Sequence, residues 1–183
     1  FTSLPEEWKT IDILINNAGL AAGLSPVQTG MVDDWERMID TNVKGLLYVS
    51  RTILPGMIAR SKGHVINIGS IAGREVYPNG NVYCATKFAV DALTKGIRMD
   101  TVAHGIKVTQ IAPGAVETEF SMVRFHGDAE RAAGVYRGFH PLLAEDIADA
   151  AFYVTSLPAH VNINDMVIMP TAQASAAILN RKS

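Results

Sequence analysis

Four short runs of mostly apolar residues rich in Ile and Val, at positions 11–15, 65–68, 106–112 and 166–169, most constrain how this chain can fold. Each is bounded by polar, Gly or Pro residues, the pattern of buried strands. Between the first two, Trp35, Met38, Ile39, Leu46, Ile53, Leu54 and Met57 recur mostly at three- and four-residue steps, a helical stripe that Pro55 should bend or end. Between the second and third, Val82, Ala85, Phe88, Ala89, Ala92, Leu93 and Gly96 form another stripe, with Gly105 as its stop. A third helix spans Ala144–Ser156. Strands alternating with helices point to a parallel sheet, because a strand needs a long connection to return to the same edge of the sheet. The expected fold is therefore α/β, a doubly wound parallel sheet with right-handed crossovers. The 183 residues, 48% of them hydrophobic, read as a single domain with one substantial core.

Charge and cysteine content narrow the function classes. A formal net charge of -2 without a run of like charges gives no footprint for nucleic acid or an anionic membrane. No apolar stretch approaches the ~20 residues of a membrane span. Cys84 has no partner for an intrachain disulfide, and His64, His104, His126, His140 and His160 do not fall at metal-ligand spacing. A cytoplasmic protein without a structural metal is expected, with a small molecule as its partner.

In a parallel sheet, ligands bind at the carboxyl ends of the strands. Here the first strand runs into Asn16-Asn17-Ala18-Gly19, the second into Gly69-Ser70-Ile71-Ala72-Gly73 and the third into Pro113-Gly114. At any one strand such residues can simply make a turn; their joint occurrence at one edge points to a ligand. Tyr83 and Lys87, four apart on a helix, share a face with Cβ atoms about 5–6 Å apart. An ammonium at ~4 Å favours a phenolate by up to about 4 kcal/mol, enough to bring a tyrosine that titrates near ~10 towards neutrality. Ser70 reads either as a turn serine or as a hydroxyl beside that phenol. Asn42 continues the apolar stripe of the long helix, where a carboxamide must be hydrogen-bonded, and so marks a site or a structural network.

With Asn16-Asn17-Ala18-Gly19, Asn42 with Gly45, Ser70, Tyr83 with Lys87, Pro113-Gly114 and Thr118 in this order and spacing, the chain resembles the short-chain dehydrogenase/reductase family over essentially its whole length. The resemblance implies a Rossmann-like fold and a catalytic tetrad. Tyr83 would be the general acid/base. Lys87 would lower its pKa and hold the nicotinamide ribose, Ser70 would polarise the substrate oxygen, and Asn42 would position a water linking Lys87 to solvent. Pro113, Gly114, Val116 and Thr118 would flank the nicotinamide, with Asn16, Ala18 and Gly19 on the adenosine side. That family begins with a strand and a glycine-rich turn that binds the pyrophosphate, and this chain starts at the strand normally fourth in order. It is expected to be the C-terminal portion of a dinucleotide-binding oxidoreductase, a fragment whose first strand would present an open parallel edge.

The run Gly114-Ala115-Val116-Glu117-Thr118-Glu119-Phe120-Ser121, then Val123-Arg124-Phe125, Gly127-Asp128, residues 159–164 and Pro170-Thr171-x-Gln173, resembles one subgroup. These are the NADP-dependent 3-hydroxy acid dehydrogenases that also oxidise serine and allo-threonine. The resemblance implies NADP ahead of NAD, with NAD left open because the selecting residues would lie upstream. It also implies substrates such as 3-hydroxypropionate and malonic semialdehyde. Arg124 reads either as an anchor for their carboxylate, beside Ser70 and Tyr83, or as a surface ion pair. Glu117 and Glu119 read as capping or surface residues and Cys84 as packing, while Met122 and Phe125 are either a mobile lid or plain packing. An extended epimerase or dehydratase is disfavoured by the short stretch after Lys87, and a silent scaffolding subunit by the complete tetrad. The small residues Ala85, Ala89, Ala92 and Gly96 suggest a homodimer or homotetramer through paired helices.

Overall fold

The computed structural model describes residue 1 and residues 3–182. Four parallel strands, β1 (Ile13–Asn16), β2 (His64–Ile68), β3 (Lys107–Pro113) and β4 (Asp165–Ile168), pair in the order β1-β2-β3-β4. All four expected runs are strands, with ends displaced by at most two residues. Between β1 and β2 run α1 (Val32–Ile39) and α2 (Leu46–Arg60), and α3 (Asn81–Thr101) connects β2 to β3. Beyond β3 come α4 (Phe120–Arg124), α5 (Ala129–Tyr136) and α6 (Ala144–Ser156).

Strand alternation sends successive side chains to opposite faces, and both faces are used. Val65 and Val108 pack with Leu46 and Met57 of α2 and Val90 and Ile97 of α3. On the other face Ile66 and Ile111 meet Val154 and Ile147 of α6. The sheet is thus wound on both sides, as expected of a Rossmann-like fold. α6 does not reach β1, whose Ile13 and Ile15 are each 47% exposed on that face. No helix among the described residues is long and apolar enough to cross a membrane.

Three expectations about the helices are corrected. Of the two outcomes expected at Pro55, a bend or an end, it does not end α2, which continues to Arg60 and stops at Ser61 in the left-handed conformation. Pro55 and Arg51 are both exposed, so the carbonyl that loses its helical partner faces water. The long helix is interrupted instead at Asp40–Gly45, one wider π-type turn that joins α1 to α2. On α3 the buried face is Tyr83, Cys84, Thr86, Lys87, Val90, Thr94 and Ile97, whereas Ala85, Phe88 and Ala92 face outward. Threonine hydroxyls can be buried there because they bond the helix's own carbonyls, Thr94 to Val90 at 2.7 Å and Thr101 to Ile97 at 2.7 Å. α3 passes into a tight turn and stops at Gly105, in the left-handed region at φ 66°. The segment read as a loop around Met122 and Phe125 forms α4 and leads into α5, whose start Asp128 caps by accepting from the Arg131 amide at 3.0 Å.

Candidate active site

At the carboxyl ends of the strands lies a cleft of about 690 Å³, within the usual range for a small-molecule site. Its walls include Ser70 after β2, Tyr83 and Lys87 on α3, and Pro113, Gly114, Val116 and Thr118 after β3. Gly19 lines it after β1, together with Asn17. Ser70 begins the turn Ile71–Gly73, accepting from the Ala72 amide at 3.1 Å. That turn lies directly on α3: a Cβ on Gly73 would stand 2.6 Å from the Lys87 carbonyl oxygen, so only glycine permits the approach that brings Ser70 beside Tyr83.

Two clips from the C-terminal stretch hold the turns after β2 and β3. Gln173 accepts from the Ala115 amide at 2.8 Å, and Glu75 accepts from the Ala176 amide at 2.8 Å. α6 contributes Ala144, Ile147, Ala148 and Ala151 to the cleft. The sequence reading missed these, although small residues on one face of a helix are a legible sign of close approach to a neighbour or a ligand.

Two predicted site residues sit elsewhere than expected. The Asn16 carboxamide turns beneath the sheet and donates to Ser50 at 3.2 Å and to Asn67 at 2.8 Å. Asn67 in turn donates to Thr94 at 2.9 Å. Asn16 is therefore a member of an internal network, and its neighbour Asn17 reaches the cleft. Ala18 is exposed beside the cleft and does not line it. Asn42 sits in the π-type turn with its side chain fully engaged. It accepts from Leu20 N at 2.8 Å, and donates to Leu20 O at 2.8 Å and to Thr86 at 3.0 Å. It pins the loop after β1 against α3.

The Lys87 ammonium is buried and donates to the Ile68 carbonyl at 3.0 Å. Among the described residues this is its one hydrogen bond, which leaves two donors towards the cleft. Burial pulls its pKa down to about 8. Burial pushes the Tyr83 phenol well above its ordinary value; the neighbouring Tyr77 and Cys84 add to this, and Ser70 and Arg124 oppose it. This differs from the expected arrangement, in which Lys87 alone lowers the phenol. The lysine nitrogen lies 5.9 Å from the Tyr83 ring centroid and is directed to the strand end.

Arg124 forms no ion pair among the described residues. Its guanidinium lies 5.1 Å from the ring centroid of Tyr83 and 5.5 Å from those of Tyr77 and Phe120. It donates to the Tyr77 hydroxyl, and its Nε is buried without a partner. It borders a second, smaller cavity of about 160 Å³ that Tyr83 also lines.

A buried phenol beside a hydroxyl, with an under-committed ammonium one helical turn away, can exchange a proton with a ligand oxygen in the larger cleft. A family model described as short chain dehydrogenase matches residues 1–129. The NADP-dependent 3-hydroxy acid dehydrogenase YdfG of Escherichia coli K12 is 51% identical over 177 residues, which are 96% of this chain and 71% of that protein. The NADP-dependent 3-hydroxy acid dehydrogenase of Schizosaccharomyces pombe is 44% identical over 180 residues, covering 98% of this chain and 70% of its own. Among solved structures, the closed form of serine dehydrogenase complexed with NADP+ superposes with a TM-score of 0.94 at 49% identity, over 100% of this chain and 74% of that one.

Proposed function

This chain belongs to the short-chain dehydrogenases, a family of oxidoreductases, and from that premise we propose that it transfers hydride between NADP and a 3-hydroxy acid. The candidate substrates are serine, allo-threonine and 3-hydroxypropionate, with 3-oxo acids such as malonic semialdehyde in the reverse direction. Supporting the reading is the meeting of Ser70, Tyr83 and Lys87 on one cleft at the strand ends. Relatives named as NADP-dependent 3-hydroxy acid dehydrogenases match nearly the whole chain.

The cleft fits a nicotinamide cofactor. Lys87 keeps two donors for ribose hydroxyls, and Gly19, Pro113, Gly114, Val116 and Thr118 offer small or apolar walls. When bound, the cofactor supplies or accepts the hydride. Ser70 donates to the substrate oxygen and fixes it beside Tyr83. Tyr83 takes the hydroxyl proton in oxidation and returns it in reduction. Lys87 stabilises the phenolate state, and Asn42 orders the loop after β1; with its side chain fully engaged, a water linking Lys87 to solvent is held through its main chain. Arg124, which borders the small cavity on the other side of Tyr83, is the cation proposed to pair with the substrate carboxylate.

The protein is proposed to work in the cytoplasm as a homodimer or homotetramer. The outward stripe of α3 supports this, with Phe88 41% exposed between Ala85 and Ala92 and open space over Gly96. A monomeric mass at micromolar concentration would contradict it. The activity is tested with the intact protein by following reduced-cofactor absorbance with NADP or NAD, against 3-hydroxy acids and size-matched neutral alcohols. Preference for the acids with NADP is expected, and turnover confined to neutral alcohols would overturn the substrate assignment.

A further inference from the structure

The cation nearest the Tyr83 ring is not the lysine of its own helix. Arg124 on α4 stands 5.1 Å from the ring centroid, against 5.9 Å for the Lys87 nitrogen. Its position is over-determined: it contacts the faces of Tyr77, Tyr83 and Phe120, donates to the Tyr77 hydroxyl, and gives its backbone carbonyl to Gly23 N at 2.9 Å. No carboxylate among the described residues competes for it. A guanidinium keeps its charge under burial that would neutralise an ammonium. Over a neutral phenol it meets only the ring quadrupole. Over a phenolate it meets a full charge delocalised into the ring, in a site where water screens little.

We propose that Arg124 is a second cation of the acid/base site, lying on the Tyr83 ring to stabilise its phenolate form, with Tyr77 as the positioning residue that tethers it. The proposal rests on Tyr83 being the acid/base.

The other charged or titratable groups around Tyr83 leave this role to Arg124. On α3, Cys84 is a buried thiol, and the Lys87 nitrogen is drawn to the Ile68 carbonyl, 5.9 Å from the Tyr83 ring centroid, with its remaining donors on the cleft side. Tyr77, whose own phenol burial pushes up, is a neutral acceptor for the guanidinium. Glu119 is exposed at the rim of the main cleft. Across the small cavity Asp34 is paired with His126 at 3.2 Å, and Arg131 is engaged over Phe125 at 4.5 Å. Burial opposes ionisation of Tyr83, and Arg124 and Ser70 are the neighbours that favour it.

The test is made on the intact protein with NADP bound and carbon-13 at tyrosine Cζ, the Tyr83 signal being identified by its loss in Tyr83→Phe. In the parent this signal should ionise before the protein unfolds. Arg124→Gln should move the transition upward by about one pH unit or more, tenfold in the ionisation constant. Arg124→Lys should recover part of the difference, and Tyr77→Phe, which keeps the charge but cuts the tether, should give a smaller upward shift. In kinetics with a neutral alcohol, the rising limb of kcat/KM against pH should move upward in step. A Tyr83 transition unmoved by Arg124→Gln, or never reached in the folded parent, overturns the proposal. If Arg124→Gln does not fold, an unmoved transition in Tyr77→Phe overturns it equally. Loss of all turnover with a normal Tyr83 shift would instead sink the activity assignment alone, because the NMR readout needs no catalysis.

Discussion

Two buried polar clusters lie within a few residues of each other on the same strands and the same helix, and they differ in how completely they are satisfied. Beneath the sheet, Asn16, Ser50, Asn67 and Thr94 form a closed chain that ends on the Val90 carbonyl, each link between 2.7 and 3.2 Å. At the strand ends, Ser70, Tyr83, Lys87 and Arg124 are nearly as buried but open. Lys87 has one partner, the Arg124 Nε has none, and Ser70 reaches the Pro113 carbonyl only at 3.5 Å. A closed network holds elements together. An open one leaves donors that only a ligand can satisfy.

The sharpest way to break this contrast is to remove one hydroxyl from the open cluster. Tyr83→Phe should lower turnover by roughly 10²–10⁴-fold while leaving cofactor binding and the unfolding midpoint nearly unchanged. Ordinary rates in a steady-state assay of the variant would remove Tyr83 from the mechanism. In the closed cluster the opposite pattern is expected. Asn67→Ala opens a buried gap, takes one hydrogen bond each from Asn16 and Thr94, and should cost about 2–4 kcal/mol in denaturant unfolding, with kcat per folded molecule changed far less. Comparable losses in both variants would mean that the two clusters are not functionally distinct.

Arg124→Met sharpens the comparison within the open cluster. Losing the carboxylate contact should reduce kcat/KM for 3-hydroxy acids ten- to a hundredfold, about 1.5–3 kcal/mol. Measured on the high-pH plateau, neutral alcohols should be nearly unaffected. An equal loss for both substrate classes there would make Arg124 structural. The smallest effect is expected at the far end of the sheet. His64 is buried, bonded to Thr109 at 2.8 Å, and held neutral by desolvation and by Lys107, its pKa down to about 4. Its ordinary value is near ~6.5, so its contribution is fully present above that pH and is lost as the pH falls towards 4. Thermal unfolding should show a loss on the order of 1–2 kcal/mol by pH 5, and His64→Gln should flatten that slope. An unchanged slope in the variant would assign the acid sensitivity elsewhere.

Strand runs, the limits of α6 and the spacing of Tyr83 and Lys87 were legible because each rests on local periodicity and packing of apolar residues. The buried face of α3 was not. Its threonines satisfy their own hydroxyls within the helix and pack as apolar groups do, while Ala85 and Ala92, read as part of its apolar stripe, point outward. Asn16 and Asn17 carry the same functional group on consecutive positions, and only the strand's alternation decides which one enters the cleft. The π-type turn at Asp40–Gly45 has no composition of its own; it is marked by Asn42, whose three hydrogen bonds run to Leu20 and Thr86, far along the chain. Arg124 was legible as a cation in the right segment, but its stack against three rings from two separate stretches of sequence was not.

The two clips from the C-terminal stretch also set a timetable for biosynthesis. Gln173 reaches back 58 residues to Ala115, and the Ala176 amide reaches back 101 residues to Glu75. Every side chain assigned a chemical role has left the ribosome by the time Arg124 has. The turns that bear Ser70 and Pro113 receive their fastenings only after residues 173–176 emerge, several seconds later at translation rates of about 5–20 residues per second. A nascent or C-terminally clipped chain therefore holds all the reactive groups on an unfastened frame. The frame is fastened only when residues 173–176 are in place.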